Sequence, residues 1–189
     1  IAALPTASVT VIGTVLFVLI MKDMQNQSEL AGARAAQISL AIANETLPFL
    51  KEGLTMESAK KTAEIITKLA GEAAVCISDT KKTLGFAGIS ADHHLCGHPI
   101  NFSNTFKVLK TGETITFNDG PYCGHPDCPL TCGVIVKKKK KNARVGTIRI
   151  YKTKNNGLSP IDIQIAEGVA KMLSTQIALA DMEQQRSLR

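Results

Sequence analysis

The sequence predicts an α+β domain, one antiparallel sheet flanked by helices, preceded by a transmembrane helix and followed by a signalling helix. Three observations carry this expectation. Residues 1–21 hold no charged side chain. Residues 73–151 hold five short apolar runs punctuated by turn signals, with one helical segment among them. From Ser159-Pro160 onward a helical pattern continues to the end.

The first run, IAALPTASVTVIGTVLFVLIM, is followed by its first charge at Lys22. About twenty helical residues at ~1.5 Å each span the ~30 Å hydrocarbon core of a bilayer. A core helix would show a polar stripe, and a signal peptide a basic start and a small-residue cleavage site; neither pattern is present. Lys22, Arg34 and a lysine-rich domain follow the span, which by the positive-inside tendency places that side in the cytoplasm and the protein in the cell membrane. Opening on Ile1 and closing within a helical pattern, the chain is expected to be a piece of a longer protein.

Residues 22–47 are good helix formers with no Gly–Pro punctuation until Pro48. Ala31, Ala35, Ile38 and Ile42 form a small-apolar seam at helical spacing, fit either for pairing with a second copy or for packing on the helix's own domain. On the pairing reading, Glu at Ile38 and Ile42 would weaken a homodimer and spare the fold. Thr55 suits a helix N-cap, with the helix running through Ala70 to a Gly71 stop. Residues 73–78 and 83–87 read as strands about the Asp79-Thr80-Lys81-Lys82 turn. A loop then leads to a short helix over 102–110, and residues 113–117 form a third strand before Asn118-Asp119-Gly120-Pro121. Residues 133–138 and 145–151 read as a hairpin whose tip carries the lysines of 137–141. Ser159 caps the last helix with Pro160 at its first position. This order is that of a GAF/PAS-like sensor sandwich. The domains expected are 1–21 for the end of a transmembrane helix, 22–50 for a linker or signalling helix, 51–158 for the sensor domain, and 159–189 for the exit helix.

The formal net charge of +6 permits nucleic-acid binding, but the excess sits largely in the run 137–141. No Trp and 4% aromatics leave no stacking platform, so no nucleic-acid partner is expected. The run reads as a solvated hairpin tip, or as a patch attracted to anionic membrane lipid. Neither GxxxxGK[ST] nor GxGxxG occurs, so no phosphate-cradling loop is present.

Five cysteines without a signal peptide do not make a secreted disulfide framework. Cys76, in an apolar run, reads as a core residue. Cys123, Cys128 and Cys132 are spaced C-x4-C-x3-C, and Cys96 sits in a Cys-Gly-His turn. Together the four could hold zinc or an iron–sulfur cluster, or act as a redox sensor, if their loops adjoin; otherwise they are unligated thiols. Asp92, His93 and His94 are expected at the rim of a concavity between the sheet and residues 88–110, where polar groups would orient a small-molecule ligand. A loop-capping role for the two histidines stays open. Cys96 with His98 lacks an evident oxyanion site, so no catalytic residue is assigned.

Ala91-Asp92-His93-His94-Leu95, Thr111-Gly112-Glu113 and Asp127-Cys128-Pro129-Leu130 occur in the same order as in the GAF domain of LytS-type sensor histidine kinases, which the chain resembles. Gly146 to Tyr151, Leu158 to Asp162 and Leu173-Ser174-Thr175-Gln176 continue the resemblance, and Asn44 to Pro48 resembles that family's linker after its membrane domain. It implies a homodimeric membrane parent with a C-terminal kinase domain beyond Arg189 that autophosphorylates a histidine and feeds a response regulator. Members of the family are linked to cell-wall hydrolase control and to sensing small metabolites. The lysine run and the cysteines Cys96 and Cys132 depart from the family pattern.

Overall fold

The structure, a computed structural model, describes residues 3–51, 53–118, 120, 123–138 and 146–187. In chain order the elements are α1 (Ala3–Leu50), α2 (Met56–Ala70), β1 (Ala74–Ser78), β2 (Thr83–Gly88), α3 (Ser103–Thr111), β3 (Ile115–Phe117), β4 (Leu130–Lys138), β5 (Gly146–Thr153) and α4 (Pro160–Ser187). They fall into two compact units, Ile1–Arg34 and Ala35–Arg189.

In the first unit the described apolar side chains, among them Val9, Ile12, Phe17 and Ile20, are exposed. By length and composition α1 can cross a membrane, and exposure of such side chains is what a lipid-facing helix requires.

The second unit is built on a five-stranded sheet in the order β2-β1-β5-β4-β3, every neighbouring pair antiparallel. Because side chains alternate across a strand, Ile148 and Ile150 face one side while Thr147, Arg149 and Tyr151 face the other. On the first side Val75, Ile77, Val134, Val136, Ile148 and Ile150 join α1, α2 and α4 in an aliphatic core. On the second, Cys76, Phe86, Phe117, Ile135 and Tyr151 meet Phe102, Val108 and Cys128 in a core rich in aromatic rings and sulfur.

The helices begin and end where their caps dictate. Thr55 and Ser58 make a reciprocal capping box at α2, and Gly71 ends it in the left-handed conformation at φ 66°. Ser159 N and Oγ both donate to Asp162 Oδ2, at 2.8 and 2.7 Å, at the start of α4. Helix α2 presses on β2 so closely that a Cβ on Gly85 would lie 2.4 Å from the Ala59 carbonyl carbon. Helix α1 approaches α4 in the same way, with Ser39 Oγ 2.6 Å from where Gly168 would carry a Cβ.

Helix α1 runs through Pro48 to Leu50. Three expectations need correction. The compact unit takes in residues from Ala35 onward rather than from 51. In the seam, Ala35 and Ile42 are buried in the same core as Val169 and Leu173 of their own chain, so Glu at Ile42 would break the fold rather than spare it. Lys137, read as part of a solvated hairpin tip, instead donates from Nζ to the Leu109 carbonyl oxygen at 2.7 Å, near the end of α3, while β4 runs to Lys138 as the strand reading 133–138 has it. The expected hairpin tip at 139–141 lies outside the described residues.

The loop after β2 returns along that strand's outer edge. Thr83 N donates to His98 O, Gly97 N to Thr83 O, and Ile100 N to Lys81 O, at 3.0, 2.7 and 2.9 Å. That backbone pairing fastens residues 97–100 to the sheet and fixes the segment that roofs the second face.

Candidate functional site

Beneath that roof lies a cavity of about 160 Å³. Its floor is the second sheet face, with Cys76 of β1, Phe86 of β2, and Arg149 and Tyr151 of β5; its walls are residues 93–95 and 98–102, with Cys123, Cys128 and Leu130 from the approach to β4.

At its floor stands a charge in an apolar setting. Arg149 is 7% exposed. It is paired in register with Cys76, and its guanidinium Nη2 donates to Cys76 Sγ at 2.8 Å. Its Nε has no hydrogen-bond partner, and no carboxylate forms an ion pair with it among the described residues. A thiol is a weak acceptor and the Tyr151 hydroxyl is the other group drawn to the guanidinium, so among the described residues this buried cation has no carboxylate counterpart.

At the rim two turns meet. Ser90, at φ 66°, is the described non-glycine residue with a positive φ, and its carbonyl oxygen accepts from His93 N and His94 N at 3.4 and 3.2 Å. Across from it Gly124, at φ 78°, sits in the turn whose His125 carbonyl accepts from Cys128 N at 3.2 Å. These turns bring together one donor atom each from His93, His94, Cys123 and Cys128, all within 4.8 Å of one another. His93 Nε2 lies 3.7 Å from Cys123 Sγ, and His94 Nε2 3.6 Å from Cys128 Sγ. The rings are held from behind: His94 stacks on Phe86 with centroids 4.7 Å apart, and His93 stacks on His125 at 4.3 Å. Asp92 Oδ1 lies 3.2 Å from His93 Nδ1, and that hydrogen bond holds the Asp92 carboxyl below its ordinary range. Burial, aided by the neighbouring His93 and Arg149 charges, pushes His94 down to about 4, so its imidazole is neutral at physiological pH. Burial also pushes the Cys128 thiol up.

The structure therefore brings together two of the four cysteines considered as ligands and replaces the other two with histidines. Cys132, on β4, points to the carbonyl oxygens of Lys152 and Thr153, at 3.6 and 3.7 Å. Cys96 is half-buried against the second core and stands outside the cluster. His93 and His94 line the cavity; Asp92 does not line it and reaches it through His93. Cys76 is buried, but on the cavity floor as the partner of Arg149. The sequence reading missed Arg149, although a charged residue at the centre of the apolar run Ile148 to Tyr151 was its signal.

No family model matches the chain. The sensor protein LytS of Bacillus cereus is 33% identical over 98% of this chain and 32% of its own length. The sensor histidine kinase/phosphatase LytS of Staphylococcus aureus is 35% identical over the same shares. The chain thus spans about a third of the length of the curated relatives it matches. Among solved structures, the GAF domain of a phosphoenolpyruvate-protein phosphotransferase from Coxiella burnetii covers 79% of this chain and 98% of its own, with TM-score 0.59 at 12% identity. The nlh2 GAF domain of A. aeolicus covers 79% and 99%, with TM-score 0.56 at 12% identity. At such identities these two bear on the fold alone.

Proposed function

From the premise that this chain is homologous to the LytS sensor histidine kinases and carries a GAF-like fold, we propose that it is the sensory and relay module of a membrane-bound two-component kinase, binding a small anionic ligand. The observation that carries this reading is Arg149. A guanidinium that is buried, has no carboxylate partner among the described residues and lines a cavity supplies what a carboxylate or phosphate ligand needs, since it can hold such a group by two parallel hydrogen bonds. A cavity of about 160 Å³ suits a ligand of a few heavy atoms.

Relay would run through the helices at the back of the sheet. Gln176 of α4 donates from Nε2 to the Ala43 carbonyl of α1 at 2.7 Å, and Thr46 Oγ1 donates to Gln176 Oε1 at 3.2 Å. A shift of β5 under the ligand would thus be felt by α4 and the end of α1 together. Leu179 and Met182, both about half exposed near the end of α4, suit pairing with a second copy, and the segment beyond would lead to a kinase domain and its response regulator. The apolar start of α1 and the homology point to a membrane protein, with this domain on the cytoplasmic side in our reading. No chemistry is assigned to the domain itself.

The test is a thermal-shift and calorimetric screen of the detergent-solubilised chain against small carboxylates and inorganic phosphate. At least one such anion should raise the melting temperature, and Arg149→Met should weaken its binding 30-fold or more. If no anion in the panel shifts the wild-type chain, or if Arg149→Met binds as well, the cavity is not an anion receptor.

A further inference from the structure

We propose that His93, His94, Cys123 and Cys128 form a tetrahedral binding site for one borderline-soft divalent cation, zinc before others. The proposal stands whether or not the cavity beside it takes an anion.

The geometry is that of a ligand set. Tetrahedral zinc with Zn–N bonds of ~2.0–2.1 Å and Zn–S bonds of ~2.3 Å separates a nitrogen from a sulfur ligand by ~3.6 Å. The two nitrogen–sulfur pairs stand at 3.7 and 3.6 Å, and all four donor atoms lie within 4.8 Å of one another. An ion at the centre would draw the remaining edges, at most 4.8 Å long, inward by up to about 1–1.5 Å. A Cys₂His₂ donor set suits zinc, whereas magnesium and calcium take oxygen ligands.

The surroundings fit as well. A ligating imidazole ordinarily gives its other ring N–H to a carboxylate, and Asp92 stands at His93 Nδ1 in that place. That contact leaves Nε2 of His93, the atom facing Cys123, free to coordinate. Phe86 and His125 stack on His94 and His93 and fix both ring planes. Cys128 is buried while Cys123 is exposed, so the site has a packed side and an open side through which an ion can enter and leave.

The ion would reinforce with coordinate bonds what the His93–His125 stack and the His94–Cys128 contact begin. The His93-His94 turn follows β2 and the Cys123–Cys128 turn precedes β4, and two strands, β1 and β5, lie between β2 and β4 in the sheet. One ion would bridge that gap across the face of the sheet and close the cavity rim. Occupancy would thereby set how open the cavity is.

The experiment is metal analysis of the full chain, purified anaerobically in detergent and loaded with Zn²⁺ or Co²⁺. We expect one ion per chain, and with Co²⁺ the thiolate charge-transfer and tetrahedral ligand-field bands of a two-sulfur site. Cys123→Ser, a near-isosteric change at an exposed position, should weaken affinity at least 100-fold with little change in the melting temperature of the metal-free protein. Asp92→Asn should weaken it about 10-fold or more. The double variant Cys96→Ser with Cys132→Ser should bind as the wild type does. The proposal is overturned by a chain that holds no ion, by iron with acid-labile sulfide in place of one zinc, by a Cys123–Cys128 disulfide in the anaerobic protein, or by a double variant that loses the ion as Cys123→Ser does.

Discussion

The two faces of the sheet are made by the same strands and do different things. On β5, Ile148 and Ile150 are fully buried among Val75, Ile77, Val134 and Val169. One residue along, Arg149 and Tyr151 enter a layer of rings, thiols and imidazoles around a cavity. The helix-packed face has aliphatic side chains that need only fill space. The cavity face has side chains with donors, acceptors and charge, and it leaves some of them unsatisfied. Burial of apolar area favours folding whatever the arrangement of the groups, whereas a buried guanidinium with no carboxylate partner among the described residues carries a desolvation cost that space-filling does not explain. A single step along the backbone thus separates residues that hold the fold from residues that can hold a ligand.

That contrast is broken first by truncating the aliphatic face. Ile150→Ala should cost about 4 kcal/mol, within the range for cavities left in well-packed cores, read by chemical denaturation of the solubilised chain. Zinc affinity per folded molecule should not change. A loss below about 1 kcal/mol would mean that this face does not carry the stability.

The next effect is set by pH at the sheet's margin. Glu72 is buried after α2, with Lys152 Nζ 2.9 Å from its Oε2 and 3.3 Å from Asp162 Oδ1. Burial outweighs the ammonium and raises the Glu72 carboxyl from 4.5 to about 7, with Asp162 adding to the rise. Because the folded carboxyl holds its proton to higher pH than the unfolded one, this contribution is fully present below pH 4.5 and is lost as pH rises to about 7. The shift corresponds to roughly 3 kcal/mol. Melting temperature should fall between pH 5 and 8, and Glu72→Gln should flatten that fall. An unchanged slope in the variant would assign the dependence elsewhere.

The smallest effect on stability is expected where binding loses most. Replacing a buried charge with an apolar side chain of similar size is often neutral or favourable, so Arg149→Met should leave stability unchanged or raise it by up to about 2 kcal/mol. A drop of several kcal/mol would make Arg149 a structural residue.

The frame was legible because its signals are local. Thr55 and Gly71 bound α2, Ser159-Pro160 opens α4, and short apolar runs between turn signals mark β1, β2 and β5, each within a residue or two of its place. The candidate site was only partly legible because it depends on which loops the sheet brings together. Spacing grouped Cys132 with Cys123 and Cys128, yet β4 begins at Leu130 and pairing with β5 turns the Cys132 thiol toward that strand's carbonyl oxygens. His93 and His94, thirty or more residues upstream, take the vacated positions, and no local pattern encodes that meeting. The seam of Ala35 and Ile42 shows the same limit, since periodicity marks an apolar stripe and leaves its partner undetermined. Lys137 looked like part of a charge run, and its role at the end of α3 depends on a contact across 28 residues.

The fastening of residues 97–100 along β2 has a consequence for crowding. An uncovered strand edge is a template on which a neighbouring chain can add its own strand. Here one margin of the sheet is occupied by the chain's own backbone, and the other ends in β3, three residues long. Crowded copies would therefore find little open strand backbone among the described residues with which to polymerise, and their encounters would be left to other surfaces, where contact can form and dissolve without the sheet being recruited.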